Sequence, residues 1–346
     1  MRTEYFITMD THCRTTDACI KTAGGKLVKR EHLSTGIPQL RELIESVPRP
    51  RRLAFEEGSM AGWLYRNLKT CVDELIVCDP RRNAHIARDG DKDDPIDAEK
   101  LNDLYRGGFL KPVHQLESLK KAAVKQVIGM YHDCVAQRVS QSNYLLALGR
   151  RWGVMLNAGK LLSSDGEQWL KERLGQAPAE IGSIAEDLRE RFVRAAEQEE
   201  SLYRQVCRIA RRDPMMGRVT DLPGYGPIRA ATLVSYLDTP WRFKSKSALW
   251  KYVGIGLRRE KSGEGLPVIR VEQACNRLLR NMVIGAAQNA IDQKENVFAE
   301  RYARWMQAGL SSRNARRNVA RDQVTAVWGM WKSDKAFDPG LICKPA

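Results

Sequence analysis

Two rhythms of apolar and polar residues alternate through the first third of the chain. "YFITM" is a short β-branched and aromatic run ending at Asp10, and "DACIKTAGGKLVKR" predicts two strands around a Gly24-Gly25 turn. "IPQLRELIESV" then has helical spacing, "RLAFEE" predicts a strand ending on acids, "GWLYRNLKT" is helical, and "ELIVCDP" is a short strand closed by Pro80. Residues 1–112 thus predict an α/β domain: a hairpin followed by strands alternating with helices.

From about residue 113 the pattern becomes helical over long stretches. Val124, Ile128, Tyr131 and Val135 keep spacings of three and four, as do Ile184, Leu188, Phe192 and Ala195, while Gly and Ser residues between 153 and 166 interrupt the run. Residues 113–212 are expected to form a helical or coiled-coil arm, either an antiparallel hairpin within the chain or a coiled coil between chains. "RRDPMMGRVTDLPGYGPIRAATLVSYLD" opens a third region, 213–346, expected to be mainly α, whose end, "VFAERYARWMQAGLSSRNARRNVARDQVTAVWGMW", predicts two amphipathic helices rich in Arg and Trp.

Charge changes the picture. Lys and Arg number 57 against 42 Asp and Glu, a net charge of +15 that favours a polyanionic partner through phosphate neutralisation. No stretch reaches the about 18 apolar residues of a membrane span, and "MRTEYFITMD" lacks the apolar core of a signal peptide. The eight cysteines are scattered without zinc-finger spacing, which fits free thiols, and together these features lead to the expectation of a cytoplasmic protein.

Against that basic background, "DGDKDDPIDAEKL" gathers six acids in thirteen positions, residues 89–101. Two-metal phosphodiester chemistry needs carboxylates converging from separate elements, because hard cations about 3.5–4 Å apart take oxygen ligands. Asp10 and Glu56 each end a predicted strand, and Asp94 and Asp97 open the predicted helix "IDAEKLNDLY", three apart on one face. Asp94 before Pro95 is equally well suited to cap that helix, so the set, more than any single acid, carries the reading.

"MDTH", "FEEGS" and "KDDPIDAEKL" together resemble the Asp, Glu, Asp, Asp pattern of the RuvC-like insertion-sequence transposases, the family numbered one-ten. The resemblance implies a RuvC-like, ribonuclease H-like N-terminal domain, with which the predicted order of elements is compatible, and selects Asp10, Glu56, Asp94 and Asp97 as ligands for Mg²⁺ or Mn²⁺. Asp93 stands where that family usually has Thr and Glu57 where it usually has a small residue, so Glu57 and Asp93 remain alternatives to their neighbours. "LPGYGPIRAATLVSYLDTPWRFKSKSALWKYVGIGLRREKSGEG" is similar to the transposase domain of the same family, and "ACNRLLRNMVIGAA" resembles a further block in which Cys275 replaces a usual Gly.

In "LPGYGP", Gly224 and Gly226 permit a tight turn of the helix-hairpin-helix kind that could offer backbone N–H groups to a phosphate; an ordinary glycine-rich connection between helices is the plainer reading. Ser262 follows Arg258, Arg259 and Lys261 in a glycine-flanked loop, and the resemblance implies that it is the covalent nucleophile. Arg270, Asn276, Arg277 and Arg280 are expected on a helix that could hold a nucleic-acid backbone, though a solvated basic face would explain them too. No histidine is placed as an obvious general base, and the tryptophans fit core or interface packing better than base stacking.

What the resemblance implies is therefore a DNA transposase or recombinase with a serine nucleophile and a divalent-metal site. It acts on donor and target DNA, is guided by a structured noncoding bridge RNA, and works as a homo-oligomer, dimer or tetramer, with a site composed between subunits. Two other readings compete: a metal-dependent nuclease or junction resolvase in which water is the nucleophile, and a non-catalytic nucleic-acid scaffold.

Overall fold

The computed structural model describes residues 3–83, 94–260 and 268–342, with the backbone alone described at 82–83, 94–95, 260 and 268. Asp93, Lys261 and Ser262 of the sequence reading lie outside the described residues, and the side chain of Asp94 does too. The chain divides into two compact units, Met1–Leu119 and Lys120–Ala346.

The first unit is built on a five-stranded sheet of order β3-β2-β1-β4-β5. Its strands are β1 (Tyr5–Thr11), β2 (Thr15–Thr22), β3 (Leu27–Ser34), β4 (Arg51–Glu56) and β5 (Glu74–Cys78). The hairpin pairs β1–β2 and β2–β3 are antiparallel, whereas β1–β4 and β4–β5 are parallel. Parallel pairing requires a crossover, and helices α1 (Ile37–Glu45) and α2 (Ala61–Leu68) supply the two. Both lie on one sheet face, where Leu40, Ile44, Leu64 and Leu68 pack on Ile7, Met9, Ile20, Leu53 and Phe55.

Alternation along the strands turns Phe6, Thr8 and Ala54 to the opposite face. After the short α3 (Pro80–Asn83), helix α4 (Asp94–Arg106) covers that face with Leu101 and Tyr105. Polar bonds fix its direction. Thr8 Oγ1 donates to the Ala98 carbonyl at 2.7 Å, and Asn102 Nδ2 donates to the carbonyls of Phe6 at 2.8 Å and Cys19 at 3.1 Å. Lys21, almost buried, reaches Asp103 at 2.8 Å and Glu99 at 3.0 Å. Residue numbers rise along α4 as they fall along β1, so the helix runs antiparallel to β1 with its first turn towards the C-terminal end of that strand.

The second unit contains the long helices α5 (Leu119–Arg151) and α8 (Ala179–Arg212), with the short α6 (Ala158–Leu161) and α7 (Gly166–Arg173) between them. Ile128 shares a core with Val206, Arg138 pairs with Glu199, and Leu145 shares a core with Phe192. The long helices thus form an antiparallel pair within one chain, the first of the two options the spacing left open. Residues 113–212 do not keep their core to themselves: Ile128, Val206 and Ala210 join the main core of the unit, while Leu145, Leu161, Leu170 and Phe192 form a small one at the other end.

That main core is closed by α9 (Pro214–Thr220), α10 (Pro227–Leu237), α11 (Lys246–Tyr252), α12 (Arg277–Asp292), α13 (Val297–Gln307) and α14 (Ser312–Ser333). Asp213 caps α9 by accepting from the N–H groups of Met215 and Met216, and Asn276 caps α12 by accepting from Leu279 N–H. A two-stranded antiparallel hairpin, β6 (Leu257–Glu260) and β7 (Val268–Val271), precedes α12. Two tryptophans are tied into the packing by their indole N–H groups, Trp250 donating to Thr325 Oγ1 and Trp328 to the Pro240 carbonyl.

Replacing Asn102 by Ala removes a side-chain donor from each of two buried carbonyls and is expected to cost about 1–3 kcal/mol in urea denaturation. The hydrogen bond from Lys21, with a smaller one from Arg30, holds the Glu99 carboxyl below its ordinary 4.5. A depressed carboxylate contributes stability above its unfolded pKa and loses it as pH falls through the folded one. Glu99→Gln is therefore expected to lower stability at neutral pH and to flatten its decline below pH 4.5, as read by denaturation at several pH values.

Candidate functional site

The site grows out of strand register. Asp10 on β1 lies directly opposite Asp17 on β2, and Asp17 lies directly opposite His32 on β3. On the other side of β1, the last paired couple with β4 is Met9–Phe55, so Asp10 and Glu56 are the next residues along two neighbouring parallel strands. Glu56 in turn pairs with Cys78 on β5. Directly opposed residues share a face, so His32, Asp17, Asp10, Glu56 and Cys78 form one row across all five strands. The row faces the α4 side, because Asp10 keeps step with Thr8 and Glu56 with Ala54.

Helix α4 brings the remaining acids to that row. Ala98 sits over Thr8, and one helical turn of about 5.4 Å back from it spans roughly the two-residue step from Thr8 to Asp10 along the strand, about 6.8 Å. The first turn, where Asp94 begins the helix and Asp97 lies exposed, therefore stands at the Asp10 and Glu56 end of the sheet. Three of the four sequence-predicted acids thus have described side chains, and the backbone of the fourth starts α4 as the spacing predicted.

Asp17 was missed by sequence reasoning. Its side chain is 8% exposed, and both carboxylate oxygens lie against His32 Nδ1, at 3.0 and 3.1 Å. Asp10 Oδ2 is 3.5 Å from His12 Nε2. The missed signal was a second turn: His12 N–H donates to the Thr15 carbonyl, closing a tight connection at Cys13-Arg14 that makes positions 10 and 17 partners. Two carboxylates directly opposed on one face repel, and a cation between or above them would relieve that repulsion.

A divalent cation fits this donor chemistry: all the acids offer oxygen, and two of them stand on rigid strand ends. Among the described residues no three or more His, Cys, Asp or Glu side chains are already arranged as a ligand set. Asp10, Glu56 and Asp97 are the sequence-predicted acids whose side chains are described at this end of the sheet.

In the second unit the predicted phosphate turn has a different basis. Tyr225 N–H donates to the Leu222 carbonyl at 3.0 Å, with Pro223 second and Gly224 third in a turn that requires positive φ, here +85°. Gly224 is buried, and a Cβ there would stand 2.0 Å from the Ala286 carbonyl oxygen of α12. Its glycine is explained by backbone approach to a helix. Gly226, by contrast, has open space around it and precedes the first residue of α10.

Arg270 is corrected from helix to strand: it lies on β7, directly opposite Arg258, because the β-branched "VIRV" pairs with β6. Arg258, Arg259 and Arg270 are all exposed. Asn276 is the cap of α12, and Arg277 and Arg280 occupy its first turn. Ser262 belongs to the connection between β6 and β7, outside the described residues.

Comparison with known proteins agrees in both units. Residues 7–148 match a family model described as Transposase, of the IS110 DEDD type, and residues 216–303 match the Transposase IS116/IS110/IS902 family. The chain is a transposase, a class that acts by DNA cleavage and strand transfer. It belongs to the IS110/IS116 family and carries that family's DEDD domain, which points to use of a divalent metal. The chain is similar to a protein of Sinorhizobium fredii named as transposase y4pF/y4sB, 22% identical over 81% of this chain and 71% of that one. It is also similar to a Pseudomonas aeruginosa protein named as a family 20 transposase, 21% identical over 87% of this chain and 90% of the other. No helix among the described residues is long and apolar enough to cross a membrane.

The two glycines of "LPGYGP" should separate in mutagenesis. Gly224→Ala, placed at positive φ against backbone, is expected to destabilise the second unit by several kcal/mol, about 2 or more, whereas Gly226→Ala should unfold at nearly the wild-type temperature in a thermal melt.

Proposed function

We propose that this transposase cuts and rejoins DNA through Ser262, assisted by a divalent ion held by Asp10, Glu56, Asp94 and Asp97. The observation that carries the proposal is the row of Asp17, Asp10 and Glu56 at one end of the sheet, with the first turn of α4 standing over it. The sheet order β3-β2-β1-β4-β5, a hairpin followed by parallel strands, supports reading the first unit as RuvC-like and ribonuclease H-like.

When bound, Mg²⁺ or Mn²⁺ supplies charge stabilisation at phosphate oxygens and lowers the barrier to displacement at phosphorus. The chain's own residues do the rest. Asp17, held by His32, adds negative field beside Asp10 and so favours a cation there. Ser262 Oγ forms a bond to phosphorus as a bridging P–O bond of DNA breaks; the serine gives up its proton and the departing oxygen gains one, becoming a DNA hydroxyl. Attack of a DNA hydroxyl on the phosphoserine reverses the step and rejoins a strand. Arg258, Arg259 and Arg270 on the hairpin, with Lys261 next to Ser262 in sequence, would stabilise the charge on the pentacovalent phosphorus.

The partners of this reading are donor and target DNA, a structured bridge RNA that selects them by base pairing, and further copies of the chain in a dimer or tetramer. Backbone contacts through Gly226, Asn276, Arg277 and Arg280 would hold nucleic acid without reading its bases, and the buried Gly224 would act by shaping the turn.

A Ser262→Ala variant is expected to lose the covalent protein–DNA adduct and to cleave on the order of 10³-fold more slowly, with DNA binding retained in a gel-shift assay. Cleavage at the wild-type rate would instead make water the nucleophile. Asp17→Asn is expected to weaken Mn²⁺ binding by about tenfold or more, measured by titration in the absence of DNA; unchanged affinity would remove Asp17 from the site.

A further inference from the structure

Helices α12 and α14 pack against each other and both begin with arginines. Arg277 and Arg280 occupy the first turn of α12; Arg313, Arg316 and Arg317 occupy the first two turns of α14. Neither helix has an acid in its first turn. A helix N-terminus carries about half a positive charge, so Arg277, Arg280 and Arg313, in the first turns, sit where the backbone field disfavours them.

The five guanidiniums also lack the usual compensation. Among the described residues none of them makes an ion pair: Arg316 donates to Gln288 Oε1 at 2.7 Å and Arg317 to Asn314 Oδ1 at 3.0 Å, both neutral acceptors. Asp322, the acid nearest in sequence on α14, is committed to Arg301 at 2.7 Å. Burial, and then the neighbouring Arg313, Arg280 and Arg316, hold the Arg317 guanidinium below its ordinary pKa. Like charges from two helices are therefore close enough to feel one another.

The cluster is tied to the root of the β6–β7 hairpin. A Cβ on Gly254 would meet Arg280 Cβ and Cδ at 3.0 Å, and the Arg321 guanidinium, one turn beyond Arg317, donates to the Ile255 carbonyl from Nε at 2.9 Å and from an Nη at 2.8 Å. Gly254 and Ile255 run directly into β6.

We propose that Arg277, Arg280, Arg313, Arg316 and Arg317 form a seat for the sugar-phosphate backbone of duplex DNA. The inference rests on the transposase reading, which makes DNA the strand that the hairpin must meet. The extension to α14 is new to that reading: Arg313, Arg316 and Arg317 lie more than thirty residues beyond the hairpin in sequence and are joined to it only by the fold. A polyanion relieves both the mutual repulsion and the conflict with the helix field, and contacts of this kind set position and affinity without reading sequence.

The test is salt-dependent binding of the full chain to a labelled DNA duplex of arbitrary sequence. Arg313→Gln and Arg317→Gln are each expected to lower the slope of log K against log salt by about 0.9, and the double variant by about 1.8. Both single variants should melt no lower than the wild type, since each removes a repelled charge. Arg194→Gln, on α8 and paired with Glu190, should keep the wild-type slope. Wild-type slopes in the α14 variants, or an equal fall in Arg194→Gln, overturn the seat while leaving the transposase reading intact. A fall seen with duplex RNA and not with DNA overturns the assignment to DNA. Failure of the wild-type protein to bind DNA in any salt would overturn the transposase reading itself, and the seat with it.

Discussion

The docking of α4 across β1 and β2 is the constraint on which the acid site depends. The strands alone place Asp10, Asp17 and Glu56 in a row, and only the helix can bring Asp94 and Asp97 to it. Three kinds of bond hold the helix in register: a buried hydroxyl on a carbonyl, a buried amide on two carbonyls, and an ammonium between two carboxylates. Apolar packing of Leu101 and Tyr105 supplies most of the adhesion but is non-directional and would tolerate sliding by a turn. The polar bonds do not, because a slide would leave buried groups unpaired. Asn102 shows the cost of that specificity, since its Oδ1 is buried without a hydrogen-bond partner.

How much of this was legible beforehand follows from the physics of each element. The strands of the first unit were readable from their alternation and their closing acids and prolines, and all five appear where the pattern put them. The start of α4 was readable because Asp-Pro is a strong helix opening. Asp17 was not, because its importance lies in pairing, and the turn at Cys13-Arg14 lacks the glycine that marks the Gly24-Gly25 turn. Arg270 was assigned to a helix because its neighbours Asn276, Arg277 and Arg280 are on one; the four-residue strand that holds it is too short to leave a periodic signature. The need for glycine at position 224 comes from its close approach to α12, a contact across about sixty residues of sequence that no local pattern encodes.

The long helices illustrate a different limit. Their heptad-like spacing is equally consistent with a partner in the same chain or in another, because the periodicity records that a face is buried and not what buries it. The interruption between residues 152 and 178, with its short helices and its own small core of Leu145, Leu161, Leu170 and Phe192, is what reverses the chain and pairs α5 with α8. Exposed apolar residues remain on both helices, among them Met130, Tyr144 and Ile184, so pairing within the chain does not exhaust the apolar surface of the arm.

The two units carry opposite electrostatic conflicts for related reasons. In the first, carboxylates are opposed across a sheet, where unlike charges would be more stable. In the second, arginines open two helices, where acids would be more stable. Sequences that break local rules in this way do so where a ligand of the opposite sign completes the balance. A transposase needs both at once: phosphates must be drawn in by cations, and the cations that assist the chemistry must themselves be held by acids. The carboxylates stand in a row on the sheet of the first unit and the arginines on two helices of the second, so within each unit like charges are gathered where a ligand of the opposite sign would balance them.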